Sequence, residues 1–234
     1  MQLWLCPLLA FLLGSIPFGL IIAKAKGINI REHGSGNIGA TNVLRVIGKK
    51  YGICCLFLDA LKGFIPVVIA ISLIRFTGMK NPMSITALAP YAQDFPMLTA
   101  QIFQVITGLC AVLGHNYSPW VGFKGGKGIA TSAGVFVALM PAAIVIIIAV
   151  WLLVFLITRY VSLASIIATS VLPLVTLWGS WFHGKIQNGT WNKPLFAFTV
   201  IIAVLAVWKH RGNIERLRKG TEHRFTRKPK SADV

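Results

Sequence analysis

The sequence predicts an all-α, polytopic integral membrane protein: a bundle of about seven transmembrane helices, N-terminus outside and C-terminus cytoplasmic. Three observations predict it. Hydrophobic residues fill 56% of the 234 positions and charged residues only 12%, about half the charge of a soluble domain, and the mean hydropathy is +0.73. Several apolar runs reach the ~20 residues that cross a bilayer. Finally, the basic residues cluster beside those runs, six in Lys24–Lys50 and nine in Lys209–Lys230, which marks cytoplasmic segments and attracts anionic lipid. The net charge of +17 therefore points to a membrane face, and nucleic acid is not an expected partner because no basic module interleaved with aromatics is visible. Cys6, Cys54, Cys55 and Cys110 lie in apolar runs without Cys-x-x-Cys spacing, so they read as small hydrophobes, with neither a metal site nor a disulfide framework expected. The chain reads as one domain, 1–234, whose last residues, 226–234, form a frayed basic end.

Leu3–Ala23 is uncharged, and its positive charges follow rather than precede it, which predicts an uncleaved first span with Pro17 and Gly19 as kink points. Lys24–Lys50 is then a cytoplasmic loop. Tyr51–Ile74 is a second span, and it carries Asp59 and Lys62 on one helical face. Charges there face the interior and are paired, either in a functional site or as a structural ion pair; a snorkelling Lys62 is the third reading. Arg75–Pro96 is an external loop, and Met97–Leu113 returns to the cytoplasm. Ile129–Thr158 would be ~45 Å long as one helix, against ~30 Å of hydrocarbon. With Leu163–Phe182 and Thr190–Trp208 as the remaining spans, a single crossing puts the basic tail outside. Two crossings, broken near Pro141, keep Arg159 and the tail cytoplasmic. A re-entrant segment is the rival.

Three polar stretches abut these spans. Gly34-Ser35-Gly36-Asn37-Ile38-Gly39-Ala40-Thr41-Asn42-Val43-Leu44-Arg45 combines flexible backbone, small donors and a guanidinium that grips two oxyanion oxygens at once. Gly114-His115 leads to Lys124-Gly125-Gly126-Lys127-Gly128-Ile129-Ala130-Thr131, where a glycine-rich turn opens a helix and can cradle an anion. Its spacing is not that of a nucleotide P-loop. Lys209–Glu222 is the third, with His210 and Asn213. His115 and His210 are candidate general bases. There is no His-x4-Asp pattern and no Gly-x-Ser-x-Gly elbow.

These three stretches, with Asp59-Ala-Leu-Lys62-Gly63, resemble the motifs of the bacterial acyl-phosphate-dependent glycerol-3-phosphate acyltransferases, the PlsY family, in order over most of the chain; a longer loop at Arg75–Pro96 departs from the pattern. The resemblance implies transfer of a fatty acyl group from acyl phosphate to the 1-hydroxyl of sn-glycerol 3-phosphate, giving lysophosphatidic acid and phosphate, without a cofactor or metal. It places the enzyme in the bacterial cytoplasmic (inner) membrane, active site on the cytoplasmic side, with the two phosphate substrates and membrane lipid as partners. The residues fit that chemistry, since an activated donor needs mainly positioning and charge neutralisation. His115 and Asn213 are expected near the reacting hydroxyl, and Ser35, Arg45, Lys127 and the Gly125–Gly128 backbone at phosphate. Gly36, Asn37, Thr41, Asn42, Lys124, Thr131, His210 and Glu222 complete the expected pocket. Ser35 as a covalent nucleophile is the sharper alternative for the chemistry. A transporter or exchanger of organic phosphates is the alternative for the whole protein.

Overall fold

The computed structural model describes residues 1–79 and 81–225, so the expectation for 226–234 lies outside the described residues. Helices dominate because a backbone in hydrocarbon must satisfy its hydrogen bonds internally. The first span is α1 (Gln2–Gly14) and α2 (Phe18–Lys24), interrupted next to Pro17, which cannot donate a backbone hydrogen bond. The Ile16 carbonyl at this break accepts from Lys62 Nζ at 2.7 Å. The basic loop that follows contains a short helix, α3 (Ala40–Val46), which its glycine-rich surroundings concealed. α4 (Lys49–Leu73) and α5 (Met97–Asn116) are the next two spans. Between them lies one departure from a purely helical chain: β1 (Ile74–Arg75) pairs in parallel with β2 (Gln93–Asp94).

α6 (Ile129–Leu139) and α7 (Pro141–Thr158) are separated at Met140, beside the proline that predicted the break. α8 (Val161–Phe182) and α9 (Lys193–Lys209) follow, and α10 (Arg211–Arg218) leaves α9 at 55°. Charge parity required α6 and α7 to run in opposite directions. Asn81, from the loop between α4 and α5, reaches the Ala138 carbonyl at 3.4 Å, so α6 ends at the face away from the motifs. α7 returns: the Arg159 carbonyl after it accepts from Phe225 N–H at 3.0 Å. Among the described residues, five helical segments are individually long and apolar enough to cross a bilayer, and α9 with α10 makes a sixth. α6 has 11 residues and rises only ~16 Å, so the glycine-rich turn that precedes it sits recessed among the helices.

α4 lies along α6, α1 along α5 and α7 along α8, with Val67, Ile71, Val112, Val135, Phe136 and Leu172 at the centre. In lipid, helices associate through close packing of small residues. Gly134 is such a contact: a Cβ there would stand 1.9 Å from the Ala60 carbonyl oxygen. Gly134→Ala is expected to cost about 1–3 kcal/mol through overpacking, read as a lower thermal midpoint of the purified protein in detergent. An unchanged midpoint contradicts this packing.

Candidate active site

The three polar stretches meet at one end of the bundle. Arg31 donates to the Lys124 carbonyl at 2.8 Å, Lys209 Nζ to the Asn116 carbonyl at 3.0 Å, and Lys127 Nζ to Asn213 Oδ1. They enclose the polar end of a cavity of about 560 Å³, whose remaining wall is mainly apolar and drawn from α4, α6, α7 and α8. Ile53, Leu56, Phe57 and Ile148 line it and are also 48–63% exposed, so its mouth opens sideways on the apolar flank.

From the first stretch, Ser35, Asn37, Thr41, Asn42 and Arg45 reach the wall. Asn42 is the clasp of this loop: its amide nitrogen donates to the Ile30, His33 and Asn37 carbonyls, and its oxygen accepts from Ser35 N–H at 2.9 Å. Its amide hydrogens are taken up by the protein, so it shapes the loop rather than offering a donor. Arg45 has no ion-pair partner among the described residues and lies 5.9 Å from the Phe225 ring. Burial lowers its pKa, opposed by Glu222, yet an arginine stays charged. Ser35 has no imidazole or carboxylate hydrogen-bonded to its hydroxyl among the described residues, so the covalent alternative lacks its base. Gly36 is not part of the wall.

In the second stretch, Lys127 and Gly128 reach the cavity, whereas Lys124, Gly125, Gly126 and Thr131 do not. Lys124 is exposed, and Thr131 is fully buried against Gly63 of α4. The amides of Gly125 and Gly126 donate to the Asn116 and His115 carbonyls at 3.2 and 3.1 Å, which removes them from the expected anion cradle. Those of Gly128, Ile129 and Ala130, at the head of α6, have no acceptor among the described residues. Burial pushes the Lys127 ammonium down to about 8, reinforced by Arg216 and Arg45 and opposed by Glu222.

His115 lines the cavity, but neither ring nitrogen is presented as the expected base. Nδ1 lies 3.6 Å from Asp59 Oδ1, and Nε2 is covered by Gly126, where an added Cβ would come within 2.1 Å. His210 is different. Its Nδ1 faces the Ala206 carbonyl at 2.7 Å, which sets Nδ1 as the donor and leaves Nε2 an acceptor.

Glu222 organises the third stretch. Oε1 accepts from Asn213 at 2.6 Å and Ser162 at 2.8 Å, and Oε2 accepts from Arg216 at 2.7 Å. Burial works to raise its pKa, but these three donors hold the carboxyl below its usual range. Asn213 is thereby fixed between Glu222 and Lys127. Ser162 and Arg216 were not among the expected site residues, nor was His223, which also lines the cavity. A signal existed for the α8 wall: Ser162, Ser165 and Thr169 recur at helical spacing on one face of an otherwise apolar helix, and all three line the cavity. The Lys62 reading is also decided. Its Nζ is buried, 2.8 Å from Asp59 Oδ1, so it does not snorkel.

Two half-buried cations, Arg45 and Lys127, at the polar end of a laterally open apolar cavity define an integral membrane protein built for an amphiphile with an anionic head. The chain belongs to the glycerol-3-phosphate acyltransferase family, whose model matches residues 4–220. It is 45% identical to the glycerol-3-phosphate acyltransferase of Aquifex aeolicus over 216 residues, 92% of this chain and 95% of that one. It is 41% identical to that of Geobacter sulfurreducens over 217 residues, 92% and 94% of the two chains. Two crystal structures of PlsY (YgiH), an integral membrane glycerol 3-phosphate acyltransferase, superimpose on it. The glycerol 3-phosphate form has TM-score 0.77 and the lysophosphatidic acid form 0.75; each is 40% identical and covers 97% of this chain and 96% of its own.

Glu222→Gln keeps the shape but removes the charge facing Arg216, and is expected to cost about 1–3 kcal/mol at neutral pH. Because the folded-state pKa is depressed, this stabilisation is present above the ordinary glutamate range and fades as pH falls through the lower folded value. Thermal midpoints of the two proteins should therefore converge in acid. A constant gap across pH would argue against the ion pair.

Proposed function

We propose that this protein transfers a fatty acyl group from acyl phosphate to the 1-hydroxyl of sn-glycerol 3-phosphate, releasing lysophosphatidic acid and phosphate. The observation that carries this reading is the cavity itself: Arg45 and Lys127 stand at one end, and apolar walls open to lipid at the other. Both substrates bring phosphate, and the donor brings an acyl chain. The family relatives named above support the same reaction.

In this reading Arg45, Lys127 and the free amides at the head of α6 neutralise phosphate. Ser35 and Thr41 add hydroxyl donors. Asn213, held by Glu222, and His210, through Nε2, orient the reacting hydroxyl. That hydroxyl oxygen bonds to the acyl carbon as the carbon–oxygen bond to phosphate breaks. Its proton passes by way of His210 Nε2 to the departing phosphate, so no acyl-enzyme intermediate is required. The excess of Lys and Arg beside the motif-bearing ends supports a cytoplasmic site, an external N-terminus, seven crossings and a place in the bacterial inner membrane. An organic-phosphate carrier drew its sequence support from Asp59 and Lys62, which neutralise each other.

Purified protein given acyl phosphate and glycerol 3-phosphate is expected to form lysophosphatidic acid; counterflow of labelled phosphate ester without product would favour the carrier. Arg45→Ala should raise KM for a phosphate substrate by about tenfold or more. The lowered Lys127 pKa adds a pH signature. Its charge is intact at pH 7 and lost as pH rises through about 8, so KM should climb there, and Lys127→Arg should move that climb to higher pH. A flat KM profile between pH 7 and 9 would remove Lys127 from phosphate binding.

A further inference from the structure

The proposed reaction leaves Asp59 unused, although a carboxylate in a membrane span is costly and calls for a reason. It lies ten residues into α4, about 15 Å along its axis, and is 2% exposed. Oδ1 stands 2.8 Å from Lys62 Nζ and 3.6 Å from His115 Nδ1, and Oδ2 faces Cys55 Sγ at 3.6 Å. Lys62 continues to the Ile16 carbonyl at 2.7 Å. One carboxylate therefore joins the break in the first span, α4 and the last turn of α5.

His115 carries the connection onward. Its ring lies under Gly126, leaving no room for a Cβ, and its carbonyl accepts the Gly126 N–H at 3.1 Å. The next residue is Lys127, whose ammonium meets Asn213. Ring and carbonyl of one histidine thus set both the height and the register of the turn that delivers this lysine. A direct contact of Asp59 with phosphate is disfavoured by like charge, which leaves support as its role.

We infer that Asp59 is a positioning residue: it orients His115, and through the His115–Gly126 contact it sets the place of Lys127 in the phosphate site. The inference rests on the proposed reaction and deepens it.

The test uses the full chain in detergent or nanodiscs, with Asp59→Asn, Gly126→Ala, their combination, and Asp59→Asn/Lys62→Met, which loses the ion pair without leaving an unpaired buried charge. Wild-type protein that forms no lysophosphatidic acid would refute the reaction itself, independently of Asp59. Given wild-type activity, both single variants should raise KM for a phosphate substrate by about tenfold or more, as expected for a displaced contact, with kcat changed far less. Because they interrupt one chain of contacts, the combination should be no worse than the more severe single variant. The neutral pair variant should keep a thermal midpoint near wild type while KM stays high, and the pH at which KM climbs should shift with it. Wild-type KM in the folded neutral variant would overturn the inference. So would a loss confined to kcat, or additive effects of Asp59→Asn and Gly126→Ala.

Discussion

Positive charge partly withdrawn from water, with too few carboxylates to balance it, is the constraint on which this site depends. Lys127, Arg45 and Arg216 gather about a single acid, Glu222, and Glu222 is committed to Arg216 and Asn213. Lys127 must make do with the amide oxygen of Asn213, and Arg45 with an aromatic ring. Such a cluster is tolerable when an anion completes it, and it attracts one strongly because the surrounding dielectric is low. Glu222 limits the repulsion without filling the site.

Hydrocarbon shapes the rest. A helix of normal length in place of α6 would carry its leading turn out to the bilayer surface. The short α6 instead leaves Gly125–Gly128 recessed, close to both Asn213 and the apolar walls. The mouth between α4 and α7 faces the flank, so a lipid tail need not leave hydrocarbon while its head reaches the cations. The tail segment after α10 closes the polar end, pinned by Glu222 to Ser162 and by Phe225 to the turn after α7.

The two motif histidines show how little residue type says about role. Both sit at helix ends next to glycine-rich or basic stretches. His115 has Asp59 on one nitrogen and Gly126 over the other, and serves the backbone around it. His210 has one nitrogen tied to its own helix and the other left as an acceptor within the cavity wall.

Composition and charge placement were enough to predict the helical membrane bundle, the break beside Pro141, and three polar stretches bound for a common face, because hydropathy and the cost of moving charge across a bilayer act on local sequence. Family resemblance added the reaction. The short helices α3 and α10 were hidden, since their stability comes from contacts made across the polar end and not from apolar periodicity. Tertiary structure alone decided that Asn42 and the Gly125 and Gly126 amides are consumed internally, that Ser162 and Arg216 hold Glu222, and that Asp59 meets His115 from another helix. Those outcomes depend on which groups face each other at about 3 Å, and a linear pattern does not encode such distances between residues far apart in the chain.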